Sequence, residues 1–346
     1  MSERVLTLRE LNRALLERQL LLRRRRLPVP RAIERLCALQ AQYSPSPHIA
    51  LWSRLDGFRK EQLTRALEQR RVVKASLFRI TLHIVSARDY PYFAAAWLPA
   101  AQETTPRATA ETVAELSRVV NAAATKAPIT HEELEALASE GLGGVRWRTR
   151  TLAPLVHLPP SGTWRFHGRP QLLAMTRWLG VELSSREEGA ERLVRSYLAA
   201  FGPAMQSDLL RFAGVRAGDV RPGLERLELR TFHDERGRVL LDLPRAPLPS
   251  PDAPAPVRFL PKWDSSLLAY APPERERILP DQFRQTVIKV NGDVLPTVLV
   301  DGFVAATWSI DRKRGLEIEP LRRLTRAERT EIDEEGARVR DFVASD

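Results

Sequence analysis

EEGAERLVRSYLAAFGPAMQSDLLRFAGVRAGDVRPGLERLELRTFHDERGRVLLDL, residues 187–243, carries the pattern that decides the fold. Apolar residues recur at helical spacing over Glu187–Phe201, Gly202-Pro203 breaks the run, and a second helical pattern carries Leu209 and Phe212. A third helix is expected over about Val220–Leu227. Leu229–Leu243 then reads as a hairpin turning at Glu235-Arg236-Gly237. Helix, helix, helix and hairpin is the order of a winged helix, an elaborated helix-turn-helix whose third helix usually meets DNA.

The same order stands upstream. A helix is expected near Glu111–Ala123, and Thr130-x-x-Glu133 caps a second over Glu132–Ala138. After the loop Gly141–Gly144, the segment Val145–Leu155 supplies the third, bearing Arg146, Arg148 and Arg150. Val156–Phe166 reads as a hairpin turning at Pro159-Pro160-Ser161-Gly162. Two copies of one supersecondary unit are hard to obtain by accident. The N-terminal segment reads as a third copy. There Thr7-x-x-Glu10 opens a helix through Leu11, Leu15 and Leu22 that ends in Arg23–Arg26. A helix follows from about Pro30 to Ala38. Pro45 and Pro47 stop it and push Ser44 and Ser46 toward extended geometry. Glu61–Gln69 reads as a helix and Leu77–Val85 as a strand.

Residues 244–256 are proline-rich and read as a stiff extended linker. Beyond it the period changes to two, with strands expected over Val257–Leu260, Gln285–Val290, Val294–Val300 and Phe303–Ile310. Asn291-Gly292 and Asp301-Gly302 are hairpin signals, and Thr325-x-x-Glu328 opens a final helix. The expected class is therefore α+β, with three tandem winged helices and a C-terminal antiparallel β-barrel-like domain. The boundaries fall at 1–105, 106–182, 183–243, the linker 244–256, and 257–346.

Composition narrows the function. Lys and Arg number 54 against 43 Asp and Glu, a net charge of +11 over 346 residues, which suits a polyanionic partner. One cysteine, Cys37, excludes a disulfide framework and a multi-cysteine metal site. No apolar run approaches the roughly 18 residues of a membrane span, and no signal peptide is visible, so a soluble cytoplasmic protein is expected. Walker A, GxGxxG, GxSxG and HExxH patterns are all lacking. The six histidines, at positions 48, 83, 131, 157, 167 and 233, are scattered, and no metal or cofactor is expected.

Leu36–Tyr43 is the most suggestive stretch. On a helix Gln40 and Gln42 point roughly 200° apart, but in an extended chain i and i+2 share a face. Two amides then hold one water or sugar between them; the bland alternative is two polar residues at a helix exit.

Five stretches resemble the AlkZ/YcaQ family of winged-helix DNA glycosylases: LCALQAQYSPSPHIALWSRL (36–55), RITLHIVSARDYP (79–91), LVRSYLAAFGPAMQSDL (193–209), FLPKWDSSLLAY (259–270) and VLVDGFVAATWSI (298–310). The resemblance implies three winged helices and a β-barrel in a C-shape around DNA. It also implies a catalytic Gln-aliphatic-Gln motif, standing here as Gln40-Ala41-Gln42. The branch carrying that motif removes bulky N7-alkylguanine adducts or interstrand crosslinks made by genotoxins. Two departures stand out. Ile80 occupies the Gly of the family's Arg-Gly-Thr-Leu-His, and Tyr270-Ala271-Pro272-Pro273 replaces His-Ala-Asp-Arg.

The expected function is a monofunctional DNA glycosylase acting, as a monomer without cofactor, on duplex DNA containing N7-alkylguanine. Its rival is a winged-helix regulator or lesion-sequestering protein with no chemistry. Arg79, Thr81 and His83 alternate and are candidates for one strand face toward DNA, or for the core edge. Trp263 and Asp264 are candidates near the DNA groove, with a turn cap the other role for Asp264. Arg146, Arg148 and Arg150 are candidate phosphate contacts or a solvated face.

Overall fold

The structure, a computed structural model, describes residues 4–103, 108–138, 141–142, 146–272, 274–311 and 315–345, with the side chains of residues 146 and 147 outside that description. It is a mixed α+β fold. The chain opens with β1 (Val5–Leu6) and α1 (Leu8–Arg18). The expected capping box forms: Glu10 N–H donates to Thr7 Oγ1 at 3.2 Å and Thr7 N–H to Glu10 Oε2 at 2.8 Å. The helix stops at Arg18, short of the Arg23–Arg26 run expected to close it, and Leu20 turns the chain with φ of 58°.

α2 (Val29–Leu36), β2 (Leu39–Gln40), α3 (Pro45–Arg54), α4 (Lys60–Glu68), β3 (Val72–Leu77) and β4 (Thr81–Ser86) form the first unit. Two expectations are corrected here. Pro45 starts a helix rather than stopping one, because a first-turn N–H has no intrahelical partner to lose; Ser44 is accordingly helical (φ −53°, ψ −38°). The single strand expected over Leu77–Val85 is two strands folded at a 3-10 turn, Phe78–Ile80.

After α5 (Tyr90–Glu103) the second unit comprises α6 (Ala110–Lys126), β5 (Ile129–Thr130), α7 (His131–Ala138), a 3-10 helix Arg146–Thr151, β6 (Leu155–His157), β7 (Gln171–Ala174) and α8 (Met175–Leu179). Its third helix is thus shorter and tighter than expected over Val145–Leu155. The hairpin returns at Gln171, not before Phe166, which leaves 158–170 as a loop. The third unit runs through α9 (Arg186–Phe201), α10 (Gln206–Ala213), α11 (Ala217–Arg226), β8 (Arg230–Asp234) and β9 (Val239–Asp242), with an Ala204–Leu241 bridge between its first two helices and the hairpin. Helix, strand or bridge, helix, helix, strand, strand therefore recurs in all three units.

A six-stranded sheet of order β2-β4-β3-β6-β7-β5 fuses the first two units through the β3–β6 pairs Lys74–His157 and Ala75–Val156. The third unit has its own sheet, with β1 parallel to β8.

The C-terminal part contains β10 (Arg258–Leu260), α12 (Ser265–Leu268), α13 (Arg284–Val287), β11 (Thr297–Val300), β12 (Phe303–Asp311), β13 (Gly315–Pro320) and α14 (Arg326–Ala344). The barrel-like expectation is corrected: among the described residues the sheet is open, β10-β11-β12-β13, with β10 and β13 at opposite edges. The strand expected over Gln285–Val290 is largely α13, joined to the meander only by an Ile288–Val294 bridge. Asp301-Gly302 turns the β11–β12 hairpin as expected, both residues left-handed (φ 47° and 83°). A Cβ on Gly302 would sit 2.5 Å from Leu16, so α1 packs on that turn only because it is glycine.

One core cluster runs from Leu15 and Leu16 of α1 through Phe93, Tyr197 and Phe212 to Leu299 and Val304, so the units share an interior. The proline-rich linker, expected to be extended, is folded by turns at 244–245 and 251–252 and is strapped down. Arg9 Nε donates to Pro251 O at 2.9 Å, Arg13 Nε to Ala253 O at 2.8 Å, and Arg230 Nη2 to Ala246 O at 2.7 Å.

Candidate functional site

Cys37, at φ 69°, ends α2 and turns the chain into β2. There Gln40 pairs with His83 of β4, and Ala41 N–H donates to Leu82 O at 2.7 Å. β2 ends at Gln40 and the chain bends at Gln42, a turn that still brings the two glutamine side chains together. Gln40 Nε2 donates to Gln42 Oε1 at 2.7 Å. That bond leaves the Gln40 carbonyl and the Gln42 amino group without partners among the described residues. Gln40 is 7% exposed and Gln42 is open to solvent. The pair is one rigid unit with its outer amide accessible.

Gln42 lies at the edge of a cavity of about 600 Å³. Three tryptophans from distant stretches line it: Trp164 on the 158–170 loop, Trp263 before α12, and Trp308 on β12. Each is held. Trp263 Nε1 donates to Gly292 O at 2.9 Å and Trp308 Nε1 to Leu260 O at 2.9 Å. Trp164 is wedged by Lys60, whose ammonium sits 4.1 Å from the ring centre, and by the edge-on rings of His48 and Phe342 at 5.4 and 5.8 Å. Ser44 Oγ donates to Phe166 O at 3.1 Å and so ties that loop to the glutamine strand. Burial pushes His48 down to about 4, with a further push from the Lys60 charge. Charge at the cavity is sparse: Lys262, paired with Asp293 at 2.9 Å, and Glu319, exposed on β13.

Of the other candidates, Trp263 alone shares this cavity with Gln42. Asp264, behind it, is 3% exposed, pairs with Arg54 at 2.8 Å and accepts from Ser266 N–H at 3.0 Å, capping α12. Both its oxygens are committed, so it braces the wall and offers nothing to DNA. Arg79 sits in the 3-10 turn, half-buried, and its guanidinium donates to Phe212 O. Thr81 and His83 share the Gln40 face of the sheet, and each has an internal partner. Thr81 Oγ1 donates to Phe78 O at 3.0 Å, and His83 Nδ1 lies 3.1 Å from Thr81 O. Burial, aided by the Arg79 charge, lowers His83 to about 3, so it is neutral at pH 7. Arg148 Nη1 donates to Ala101 O at 2.9 Å, and Arg150 lies beside His131 and His157. The Arg146 side chain lies outside the described residues. Neither Arg148 nor Arg150 is among the described residues lining the glutamine cavity.

Sequence reading missed Trp164 and Trp308. Alternation on β12 was the available signal for Trp308; nothing local marks Trp164. Among the described residues no cluster of His, Cys, Asp and Glu could hold a metal, and no helix is long and apolar enough to cross a membrane.

The family model described as DNA glycosylase AlkZ-like matches residues 33–342. The chain belongs to the AlkZ-like DNA glycosylase family. The solved structure of Streptomyces sahachiroi DNA glycosylase AlkZ is similar over 99% of this chain and 98% of that one, with TM-score 0.81 and 20% identity, a shared fold. Probable biotin-dependent acyl-coenzyme A carboxylase beta3 subunits of Mycobacterium bovis and Mycobacterium tuberculosis are 31% identical over 162 residues, 41% of this chain. The chain spans about a third of the length of these curated relatives, 32%. Gln40-Ala41-Gln42 lies within the stretch that the family model matches. Ile80 adopts φ of 58°, a left-handed conformation that a β-branched residue seldom takes.

Proposed function

We propose that the protein is a monofunctional DNA glycosylase that hydrolyses the N-glycosidic bond of N7-alkylated guanine, bulky and crosslinked adducts included. The three repeated units would act as winged helices over 1–105, 106–182 and 183–243, gripping duplex DNA together with the open sheet of 257–346. The observation that carries the reading is the hydrogen-bonded Gln40–Gln42 pair beside an aromatic cavity, in a chain of this family.

The chemistry suits neutral amides. Alkylation at N7 makes the base cationic, so when the C1′–N9 bond breaks its electron pair neutralises the leaving base and no acid is needed. Positive charge appears on the deoxyribose instead. A glutamine carbonyl opposes that charge and orients the water whose oxygen bonds C1′, the proton passing to solvent. An amide cannot take up that proton, so attack must follow extensive C1′–N9 cleavage. An uncharged base, needing a stronger acid or base, would be a poor substrate. The indole faces of Trp164, Trp263 and Trp308 suit an electron-poor cationic purine or a planar substituent on it. No cofactor enters the scheme.

The test is release of free base from duplex DNA containing 7-methylguanine or a bulkier N7 adduct. Release by the protein and its loss in Q40A/Q42A, with duplex affinity kept, is the expected result. Tight binding without release from any adduct would instead identify a regulator or a lesion-sequestering protein.

A further inference from the structure

A second large hollow, about 610 Å³, shares no residue with the glutamine cavity. Its walls come from α1, α2, α9, the end of α11 and the start of the linker, and they bring five guanidiniums together: Arg18, Arg35, Arg195, Arg226 and Arg245. Glu228 is the one carboxylate among the residues that line it. Arg18 forms the floor, 1% exposed and paired with Asp242 at 2.6 Å, and Arg230 draws on the same Asp242 at 2.8 Å. Buried negative charge beneath the hollow is therefore already spent twice.

The rim is different. Arg35 and Arg195 are 41% and 49% exposed; Arg35 lies 3.9 Å from Glu17, which Arg25 approaches more closely at 3.1 Å, and Arg195 meets Glu191 at 2.9 Å. Arg226 and Arg245 are exposed and have neither an ion pair nor a hydrogen bond among the described residues. Glu17, which Arg35 approaches, also holds Arg25, a further cation on this side of the molecule. Like charges converging this way repel unless an anion sits between them, and guanidinium forks match phosphate oxygens two at a time. The wall is rigid enough to hold them, since Arg18 and Arg230 pin the linker carbonyls of Pro247 and Ala246 at 3.1 and 2.7 Å.

We propose that this hollow grips the phosphodiester backbone of DNA, as a second contact apart from the cavity beside Gln42. It rests on DNA being the ligand and is independent of which base is excised. It supplies affinity and orientation without reading sequence, because backbone contacts carry no base information.

The test uses an undamaged duplex of about 30 base pairs and the full chain, with binding followed by fluorescence anisotropy across a salt series. R226Q/R245Q should weaken binding at least tenfold and make the slope of log affinity against log salt shallower by about two, as each lost phosphate contact removes about 0.9. R35Q/R195Q, on α2 and α9, should act in the same direction. Unchanged affinity and slope in both variants, with melting temperatures preserved, would overturn the proposal. So would binding of inorganic tripolyphosphate that R226Q/R245Q abolishes while duplex affinity stays intact; the hollow would then belong to a free polyphosphate. Because no lesion is present, a glycosylase reading that fails the base-release assay leaves this result standing.

Discussion

The bond from Gln40 to Gln42 means that neither amide acts alone. Gln42 is exposed and its carbonyl accepts from Gln40, while Gln40 is nearly buried and its own carbonyl accepts no hydrogen bond among the described residues. Removing Gln42 therefore also releases Gln40 to rotate. Gln42→Ala should lower single-turnover release of N7-methylguanine by about 100- to 1,000-fold, the cost of one oriented dipole at a developing charge, and leave the melting temperature unchanged. Gln40→Ala should cost a similar factor in rate and also some stability. Neither amide titrates and an N7-alkylated leaving base would already be cationic, so with that substrate the rate should be flat from about pH 6.5 to 8.5; a sigmoidal or bell-shaped profile would point to a carboxylate or imidazole instead. Ile80 is the other residue-scale anomaly. Its left-handed backbone costs about 1–3 kcal/mol, and its side chain packs at the edge of the core, so Ile80→Gly trades strain against lost burial. The strain term acts only on the 3-10 turn. Hydrogen exchange at residues 78–81 should therefore slow in the glycine variant even if global stability barely moves.

At the scale of elements, one lysine braces the Trp164 wall of the cavity. Lys60 of α4 donates to Val343 O at 3.1 Å and Ser345 O at 2.6 Å, carbonyls at the C-terminus of α14, while its ammonium lies over Trp164 and Phe342. A cation satisfying a helix's last carbonyls is favourable on both hydrogen-bond and dipole grounds. Lys60→Met keeps the stem and removes the charge. It should destabilise the protein by about 1–3 kcal/mol through the orphaned carbonyls and loosen Trp164, visible as a change in tryptophan fluorescence. Helix packing gives a second handle. Gly223 of α11 lies against α9 so closely that a Cβ would sit 2.5 Å from Ala190 O, and backbone cannot yield as a side chain does. Gly223→Ala should therefore cost about 1–3 kcal/mol despite its better helix propensity, a loss readable in urea denaturation. These contacts also mark what the sequence could disclose. Element order was legible because capping boxes at Thr7, Thr130 and Thr325 and the Asp301-Gly302 turn act within a few residues. So was the meeting of Gln40 and Gln42, two residues apart where the chain leaves β2, although the bend at Gln42 was not. The cavity was not, since Gln42, Trp164, Trp263 and Trp308 meet only through tertiary packing. Nor was β13, whose Leu316-Glu317-Ile318-Glu319 alternation is too short and too charged to stand out. Pro45 misled for a local reason: proline favours a helix's first turn as strongly as it breaks an interior.

At the scale of the molecule, the unit drawn at 106–182 keeps a core cluster of its own, from Val113 to Ala174, while the largest cluster crosses the other boundaries. Leu15 and Val304 share a core cluster with Phe212, and α1 is tied to the linker and to the β11–β12 turn through Arg9, Arg13 and Asp301. Calorimetry should therefore show one cooperative transition for the whole chain, with calorimetric and van't Hoff enthalpies in agreement, rather than separate melts for the helical units and the C-terminal sheet. The pH dependence of that transition follows from groups buried in the wrong state for acid. Burial lowers His48 to about 4 and His83 to about 3, and drives His157 well below the ordinary imidazole value. Below the unfolded value of about 6.5 the unfolded chain binds protons that the folded chain refuses, so stability is full above that pH and falls as pH drops toward 4. Asp208 works the other way: burial raises it to about 6, so between about pH 4 and 6 the folded chain holds a proton that the unfolded chain releases. Three imidazoles outweigh one carboxyl, and the melting temperature should decline from pH 6.5 to 4.5 despite it. His48→Phe, which keeps a ring against Trp164, should reduce that decline by up to about 1.4 kcal/mol per pH unit, one proton's worth. If the variant's slope matches the parent's, His48 is protonated in the folded chain, and acid lability arises elsewhere.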